Sequence, residues 1–250
     1  MAKYIVQAGW DHAPHLSAQE KEDLLSSTPP HLRAARSQGE PTMGSGAVFP
    51  IEPNYFLVDD WRPKPWYRRA YGLDVGWNYT AAVWGAYDPD TDIIYIYDTY
   101  KKEKSEPELH AQHIKMRDPR DPPNYRWPGA IDPASKGRSQ VDGSQLISIY
   151  RKLGLKLVEA DNSVEAGLTE MWSRLSSGRM KVVRTPNNEE LLREYKKYRR
   201  DEKGRIVKKD DHIMDAWRYL VMTGLKIAKP MPTMNQTHGG IVSGARDYGV

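Results

Sequence analysis

The 250-residue sequence contains no cysteine and no apolar run that approaches about 18 residues. Without cysteine there is no disulfide and no thiolate metal site, so any metal must be held by carboxylates or histidines. The first residues, MAKYIVQAGWDHAPHLS, also lack the apolar core of a signal peptide. The sequence therefore predicts a protein without a membrane span, and a reducing cytoplasm is compatible with it.

Net positive charge is absent over most of the chain and concentrated in one segment. The net charge of the whole chain is +4, yet residues 193–209 contain nine Lys or Arg and three acids, a net charge of +6. Such a cluster is either a solvated face or a surface for the phosphates of nucleic acid. Its candidate phosphate contacts are Lys196, Lys197, Arg199, Arg200, Lys208 and Lys209.

The composition changes near residue 69. Residues 1–69 are rich in Pro, His, Ser and Gly, with an amphipathic helix predicted at 17–25 that begins with a capping box and a second short helix at 30–37. Gly39 and Gly44 have the spacing of a phosphate loop, but no lysine follows them, which argues against an ATP site. We expect a linker-like segment at 1–69, a folded domain at 70–228 and a loose tail at 229–250.

Three strands and then alternating helices and strands are predicted after residue 69. Tight connections between strands at 68–77, 81–88 and 93–100 favour an antiparallel meander. The following elements are a helix at 105–117, a strand at 129–132, a helix at 143–153, a strand at 156–160, a helix at 164–176, a strand at 179–184, a helix at 187–199 and a last helix from about Asp210. This order predicts an α/β fold, a mixed sheet with helices on both faces, which ribonuclease-H-like folds share with others.

Two acids lie in predicted strands. Asp74 shares its strand face with Gly72 and Gly76, which leave open space over the sheet. Asp132 ends a short apolar strand and is followed by Pro133, which cannot continue a central strand. Its carboxylate is expected at the carboxyl end of a strand, where open α/β sheets place their ligands. Each acid taken alone is also an ordinary turn residue.

The predicted last helix carries further acids. Asp211 and Asp215 are four residues apart and share one helix face, and His212 lies three residues before Asp215. Capping and the helix dipole explain acids at a helix start. They do not explain Asp215, which lies past the first turn, so Asp215 is the strongest single candidate for a functional acid.

Together the three acids point to metal chemistry. Acids that converge from separate elements are relieved of their mutual repulsion by Mg²⁺ or Mn²⁺, hard cations that prefer oxygen ligands. Two such ions about 4 Å apart activate water and stabilise the leaving oxygen in phosphodiester cleavage. The residues therefore predict a metal-dependent nuclease.

Four segments resemble, in order and spacing, the nuclease half of phage terminase large subunits: YGLDVGWNYTAAVW, GAIDPASKGRSQVDG, LVEADNSVEAGLTEMWSRLSSGRMKV and DDHIMDAWRYLV. Residues 10–50 resemble the segment that joins the packaging ATPase to that nuclease, so the resemblance covers about residues 8–225. It implies a ribonuclease-H-like fold, two divalent ions on three acidic positions and cutting of concatemeric DNA during genome packaging. It also implies double-stranded DNA, the terminase ATPase domain, the small terminase subunit and the portal as partners, in the host cytoplasm.

The resemblance places the first two acidic positions at Asp74 and Asp132. The third lies in DDHIMDA, where Asp215 is favoured and Asp211 and His212 are neighbours that bind or orient a metal. The loop after the second acid adds two candidate phosphate contacts, Lys136 and Arg138.

The sequence departs from the family in lacking the ATPase with its phosphate loop. Either a separate chain supplies the motor, or these residues are the nuclease portion of a longer protein. Other interpretations are a non-catalytic module that docks DNA or the portal, and a junction resolvase or ribonuclease H with the same metal acids. A sugar kinase or actin-like ATPase would share the sheet order, but its Gly-rich phosphate hairpins are matched only vaguely, by GLDVG.

Overall fold

The computed structural model describes residues 9–27, 37–38, 46–120, 122–136 and 145–232. The strands are β1 (Leu57–Val58), β2 (Arg68–Asp74), β3 (Tyr79–Asp88), β4 (Ile93–Glu103), β5 (Pro128–Ile131), β6 (Lys156–Glu159) and β7 (Met180–Val183). In this part of the chain they form one seven-stranded sheet in the order β1-β7-β4-β3-β2-β5-β6.

The strand directions confirm the predicted mixed sheet. β2, β3 and β4 are antiparallel neighbours, and β5 lies parallel to β2. β6 continues in parallel from β5, and β7 lies parallel to β4 on the other side. The antiparallel strands are rich in β-branched and aromatic residues, which suit a pleated and largely buried surface. β1 was not predicted, because two residues carry no readable pattern.

The helices are α1 (Ala18–Ser27), α2 (Pro107–Lys115), α3 (Leu146–Lys152), α4 (Val164–Ser176), α5 (Glu189–Lys197), α6 (His212–Tyr219) and α7 (Leu225–Ile227). A π-helical turn, Leu220–Gly224, joins α6 to α7. The predicted capping box before α1 is confirmed, since the Ser17 amide donates to Glu20 Oε2 and the Glu20 amide donates to Ser17 Oγ. Of the helix predicted at 30–37, residues 30–36 lie outside the described residues.

Helices cover both faces of the sheet, as predicted. One core contains Val83 of β3 with Met171 of α4 and Trp217 of α6. The opposite core contains Trp84 of β3 with side chains of α2 and α3, such as Ile114. Successive residues of β3 therefore enter different cores, which is the period of two that defines a strand.

Gly72 of β2 allows α6 to lie close against the sheet. A Cβ at this position would collide with the carbonyl oxygen of Ala216 in α6. The neighbouring Tyr71 and Leu73 enter the opposite core, so the predicted alternation of faces is confirmed. Because Asp74 shares the face of Gly72, its carboxylate lies on the side of the sheet that α6 covers.

The segments at either end of the predicted domain contact its body. Phe49 and Phe56 are buried in the same core as Tyr195 of α5. Arg69 and Lys229 exchange backbone hydrogen bonds at 2.7 and 3.1 Å. The divisions at residues 69 and 229 stay predictions, and residues 233–250 of the tail lie outside the described residues. Within the described ranges, no helix is both long and apolar enough to cross a bilayer.

Candidate metal centre

Asp74 and Asp132 lie side by side at one edge of the sheet. Asp74 is the last residue of β2, and Asp132 directly follows β5, whose Ile131 is in register with Leu73. The Asp132 amide continues the pairing by donating to the Leu73 carbonyl at 2.9 Å. Both residues are 9% exposed. The two parallel strands thus bring two nearly buried carboxylates together at their carboxyl ends.

His212, the first residue of α6, contacts the Asp74 carboxylate. Its Nδ1 lies 2.9 Å from Asp74 Oδ2, and its ring lies 5.1 Å from that of Tyr79. The pKa of Asp74 is raised to about 6, first by burial and then by the charges of Asp215 and Asp132, while the hydrogen bond from His212 lowers it. The same hydrogen bond raises the pKa of His212. The imidazole therefore orients the carboxylate and favours its ionised form.

Neutral donors hold the Asp132 carboxylate. The Ala134 amide donates to Oδ1 at 3.0 Å, and the Tyr219 hydroxyl donates to the same oxygen at 3.1 Å. Burial raises the pKa of Tyr219, and the charges of Asp132 and Asp215 act in the same direction. Tyr219 is thus a protonated donor that fixes Asp132 without neutralising it.

Cationic side chains hold the acids of α6. Lys208 Nζ lies 2.9 Å from Asp215 Oδ2 and 3.2 Å from Oδ2 of Asp211, the N-cap residue of α6. Arg218 Nη2 lies 3.0 Å from Asp215 Oδ1, so both oxygens of Asp215 face a positive charge. The Asp211 Oδ2 atom is buried without a hydrogen bond, because its contact with Lys208 is close enough for an ion pair but poorly aligned.

Glu194 of α5 holds the first turn of α6 through a hydrogen bond to its backbone. One of its carboxyl oxygens accepts a hydrogen bond from the Ile213 amide at 2.8 Å, and the other lies 2.7 Å from Lys101 Nζ. A carboxylate is favourable at a helix N-terminus because of the unpaired amides and the helix dipole. Sequence reasoning counted Glu194 only within the basic cluster. Its spacing from Leu191 and Tyr195, both buried, is the signal that places it on the apolar face.

Two further site residues escaped sequence reasoning. Tyr219 lies seven residues after His212, so the two share a helix face, and that spacing was the available signal. Arg218 lies three residues after Asp215, a spacing that favours an ion pair on a helix.

Of the predicted phosphate contacts that the structure describes, only Lys208 pairs with the acids of the candidate site. Lys208 lies within the acid cluster, whereas Lys196, Lys197, Arg199 and Lys209 are exposed. Lys197 also pairs with Asp210 at 3.3 Å, and Arg200 makes a bidentate pair with Glu165 at 2.6 and 2.8 Å. Lys136 ends the 3-10 turn Pro133–Lys136, and Arg138 lies outside the described residues.

The donor set fits a hard divalent cation in kind. Within the described residues, no group of three or more His, Asp or Glu side chains is arranged so that it could hold a metal ion. The oxygens of Asp74 and Asp132 nevertheless suit Mg²⁺ or Mn²⁺. The pKa of Asp74 is raised first by burial and then by the charges of Asp215 and Asp132. For Asp215 to join such a site, Lys208 must first leave it, since its ammonium lies against both helix acids.

The mixed seven-stranded sheet with helices on both faces is a ribonuclease-H-like fold. The family model described as "Terminase RNaseH-like domain" matches residues 71–223, more than half of the chain. The chain therefore belongs to the terminase RNaseH-like domain family, which confirms the resemblance read from the sequence.

Two curated relatives are each described as "Terminase, large subunit". The one from Enterobacteria phage LP7 is 31% identical over 224 residues, covering 86% of this chain and 45% of the relative. The one from Salmonella phage P22 is 31% identical over 217 residues, covering 83% of this chain and 42% of the relative. The chain thus spans less than half the length of these relatives.

A solved structure is similar over nearly its whole length. The P22 large terminase nuclease domain has a TM-score of 0.66 and 28% identity, covering 76% of this chain and 97% of the solved chain. The match confirms the ribonuclease-H-like fold and shows homology to a large terminase nuclease domain.

Proposed function

We propose that this chain is a DNA endonuclease dependent on Mg²⁺ or Mn²⁺, which cuts concatemeric DNA during phage genome packaging. One observation carries the proposal: Asp74 and Asp132 form a nearly buried carboxylate pair at the sheet edge, with no cationic Lys or Arg among their hydrogen-bond partners in the described residues. Such a pair is costly in a folded protein unless a cation completes it. Homology to the P22 large terminase nuclease domain supports the reaction class.

Asp74 and Asp132 would hold the cation, with Asp215 as the third acidic position and Asp211 and His212 as its neighbours. Bound there, two Mg²⁺ or Mn²⁺ ions supply an activated water for in-line attack and charge stabilisation on the leaving oxygen of the phosphodiester. His212 orients Asp74 and keeps it ionised.

The basic residues hold the DNA in this proposal. Phosphate contacts position a nucleic acid without reading its sequence. Within the described part of the chain, no helix or β-ribbon beside the acids is placed to read base edges. We therefore expect DNA cutting with little sequence preference. The proposed contacts are Lys136, Arg138, Lys196, Lys197, Arg199, Arg200, Lys208 and Lys209.

The biological setting is part of the same proposal. The two curated relatives are large terminase subunits about twice the length of the matched part. We propose that the chain acts on double-stranded DNA in the host cytoplasm together with a packaging ATPase, a small terminase subunit and a portal.

Cutting of supercoiled plasmid tests the proposal. The wild type is incubated with Mg²⁺, Mn²⁺ or EDTA beside Asp74→Asn, Asp132→Asn and Asp215→Asn. Asp59→Asn is the matched control, because Asp59 is an exposed acid paired with Arg184 away from the site. We expect cutting that needs a divalent ion, is lost in Asp74→Asn and Asp132→Asn, and persists in the control. Cutting in EDTA or full activity in Asp74→Asn contradicts the proposal. No cutting by the wild type with either ion also contradicts it and favours a docking module.

A further inference from the structure

Lys208 is the residue whose position departs most from its expected role. It was expected on an outer basic surface, but its Nζ lies between the carboxylates of Asp211 and Asp215 at 3.2 and 2.9 Å. The two acids are 5% and 9% exposed, so their charges are largely removed from water. We propose that Lys208 is a built-in counter-cation of the metal centre, which neutralises the acids of α6 until a divalent cation displaces its ammonium group. This inference rests on the proposed cation-dependent function.

The need for a counter-charge follows from burial. Carboxylates that are removed from water are strongly destabilising unless they are paired. Arg218 engages Asp215 Oδ1, but no positive charge other than Lys208 is found within ion-pair distance of the Asp211 carboxylate among the described residues. Without a bound cation, Lys208 therefore stabilises this part of the fold.

The two basic partners of Asp215 differ in whether they can leave. The Arg218 side chain is 1% exposed and lies against Gly167, where a Cβ would approach its Cγ to 2.6 Å. The Lys208 side chain is 62% exposed and lies outside any helix or strand. Its flexible four-carbon stem lets the ammonium move into water without disturbing the core. Arg218 is thus a fixed partner of Asp215, whereas Lys208 is a removable one.

Competition between Lys208 and the cation has two measurable consequences. A cation that must displace an ammonium group binds more weakly than one that enters an unneutralised site, so Lys208 lowers the cation affinity. The same ion pairs stabilise the cation-free protein, so their removal lowers the unfolding temperature in EDTA. A purely structural lysine would produce the second effect and not the first.

Calorimetric titration with Mn²⁺ alone, without DNA, separates these roles. The proteins are the wild type, Lys208→Gln, Lys208→Arg and the control Lys203→Gln, whose lysine is exposed on the neighbouring hairpin. We expect Lys208→Gln to bind Mn²⁺ about tenfold more tightly than the wild type, corresponding to about 1.4 kcal/mol. Lys208→Arg, which keeps the charge, and Lys203→Gln should stay close to the wild type.

Thermal unfolding of the same proteins gives a second readout. In EDTA, Lys208→Gln should unfold at a lower temperature than the wild type. Mn²⁺ should raise the unfolding midpoint of Lys208→Gln by more than it raises that of the wild type. If the wild type binds Mn²⁺ and Lys208→Gln binds it equally or more weakly, the proposed role of Lys208 is wrong, while the cation-dependent function stands. If the wild type neither binds Mn²⁺ nor gains stability from it, the proposed cation-dependent function fails, and this inference fails with it.

Discussion

The acids at the ends of the strands and the acids of α6 form one cluster but are balanced in different ways. Asp74 and Asp132 are held by an imidazole, a backbone amide and a phenol. The acids of α6 are held by the ammonium of Lys208 and the guanidinium of Arg218. The two pairs of acids are thus buried to a similar extent, but among the described residues Lys and Arg side chains neutralise the acids of α6 and not those of the strands.

This difference shows where a cation is needed. Burial disfavours the charged form of a carboxylate, and the pKa of Asp74 is accordingly raised to about 6 despite the hydrogen bond from His212. The strand acids therefore supply the attraction for a divalent ion. The helix acids, already paired with Lys208 and Arg218, set how readily that ion enters.

The largest expected effect is a difference in cutting rate between neutralising a strand acid and neutralising an acid of α6. Changing an outer partner of a metal ligand typically costs 10–100-fold in affinity or activity, so loss of a ligand should cost more. We expect Asp132→Asn to lower the rate of plasmid cutting by more than about 100-fold, and Asp211→Asn by about tenfold or less. Initial rates with saturating Mn²⁺ check this difference, and equal losses in the two variants would show that the two pairs do not differ in role.

Glu194→Gln should destabilise the fold more than any change in an exposed ion pair. The substitution leaves Lys101 without its buried partner and weakens the hydrogen bond from the Ile213 amide. Breaking a buried pair costs about 3–5 kcal/mol, whereas exposed pairs contribute about 0–1 kcal/mol. We expect a fall of about 10 °C in the unfolding midpoint for Glu194→Gln and no measurable change for Asp59→Asn. A midpoint for Glu194→Gln within about 2 °C of the wild type would remove Glu194 from the support of α6.

His212→Asn should shift the pH dependence of cutting. Asp74 has a pKa raised to about 6, so falling pH protonates a proposed cation ligand and lowers activity through that range. His212 donates the hydrogen bond that opposes this rise. Its loss should move the acid limb to higher pH by about one pH unit, because a hydrogen bond to a charged group contributes about 1.5 kcal/mol. Rates between pH 5 and 8 at fixed Mn²⁺ measure the limb, and a limb that stays in place or moves to lower pH contradicts the role of His212.

The smallest effect concerns DNA binding. Lys196 is exposed and has no ion pair among the described residues, whereas Arg200 is already engaged by Glu165. Removing one lysine that neutralises a DNA phosphate reduces the slope of log K against log salt by about 0.9. We expect Lys196→Gln to reduce the slope by about that amount and Arg200→Gln by less. Titrations of a labelled duplex at several salt concentrations check this, and a larger effect from Arg200→Gln would indicate that DNA replaces Glu165 as its partner.

Sequence patterns predicted the elements that depend on local periodicity. The β-branched and aromatic run of β4 and the apolar face of α6 are each legible within about ten residues. The two-residue β1 and the π-helical turn Leu220–Gly224 were missed, because neither has a local signature. β1 depends on pairing with β7, more than 120 residues further along the chain.

The same distinction applies to the site. The convergence of Asp74 and Asp132 followed from their places in predicted strands of one mixed sheet, with Asp132 at a strand's carboxyl end. The position of Lys208 did not, because it depends on the path of the chain into α6, where Asp210 takes the left-handed conformation with φ 53°. Asp tolerates that conformation better than most residues, but the sequence alone does not reveal which position adopts it.

We propose that the strand acids hold a divalent cation, and that this cation reaches the acids of α6 when the Lys208 ammonium leaves them. Diffraction from crystals soaked in Mn²⁺, with data collected at the manganese absorption edge, measures this directly. We expect an anomalous peak in direct coordination with Asp74 and Asp132, and Lys208 Nζ withdrawn from Asp211 and Asp215. A peak coordinated by other residues, or no peak beside Asp74 at saturating Mn²⁺, would contradict it.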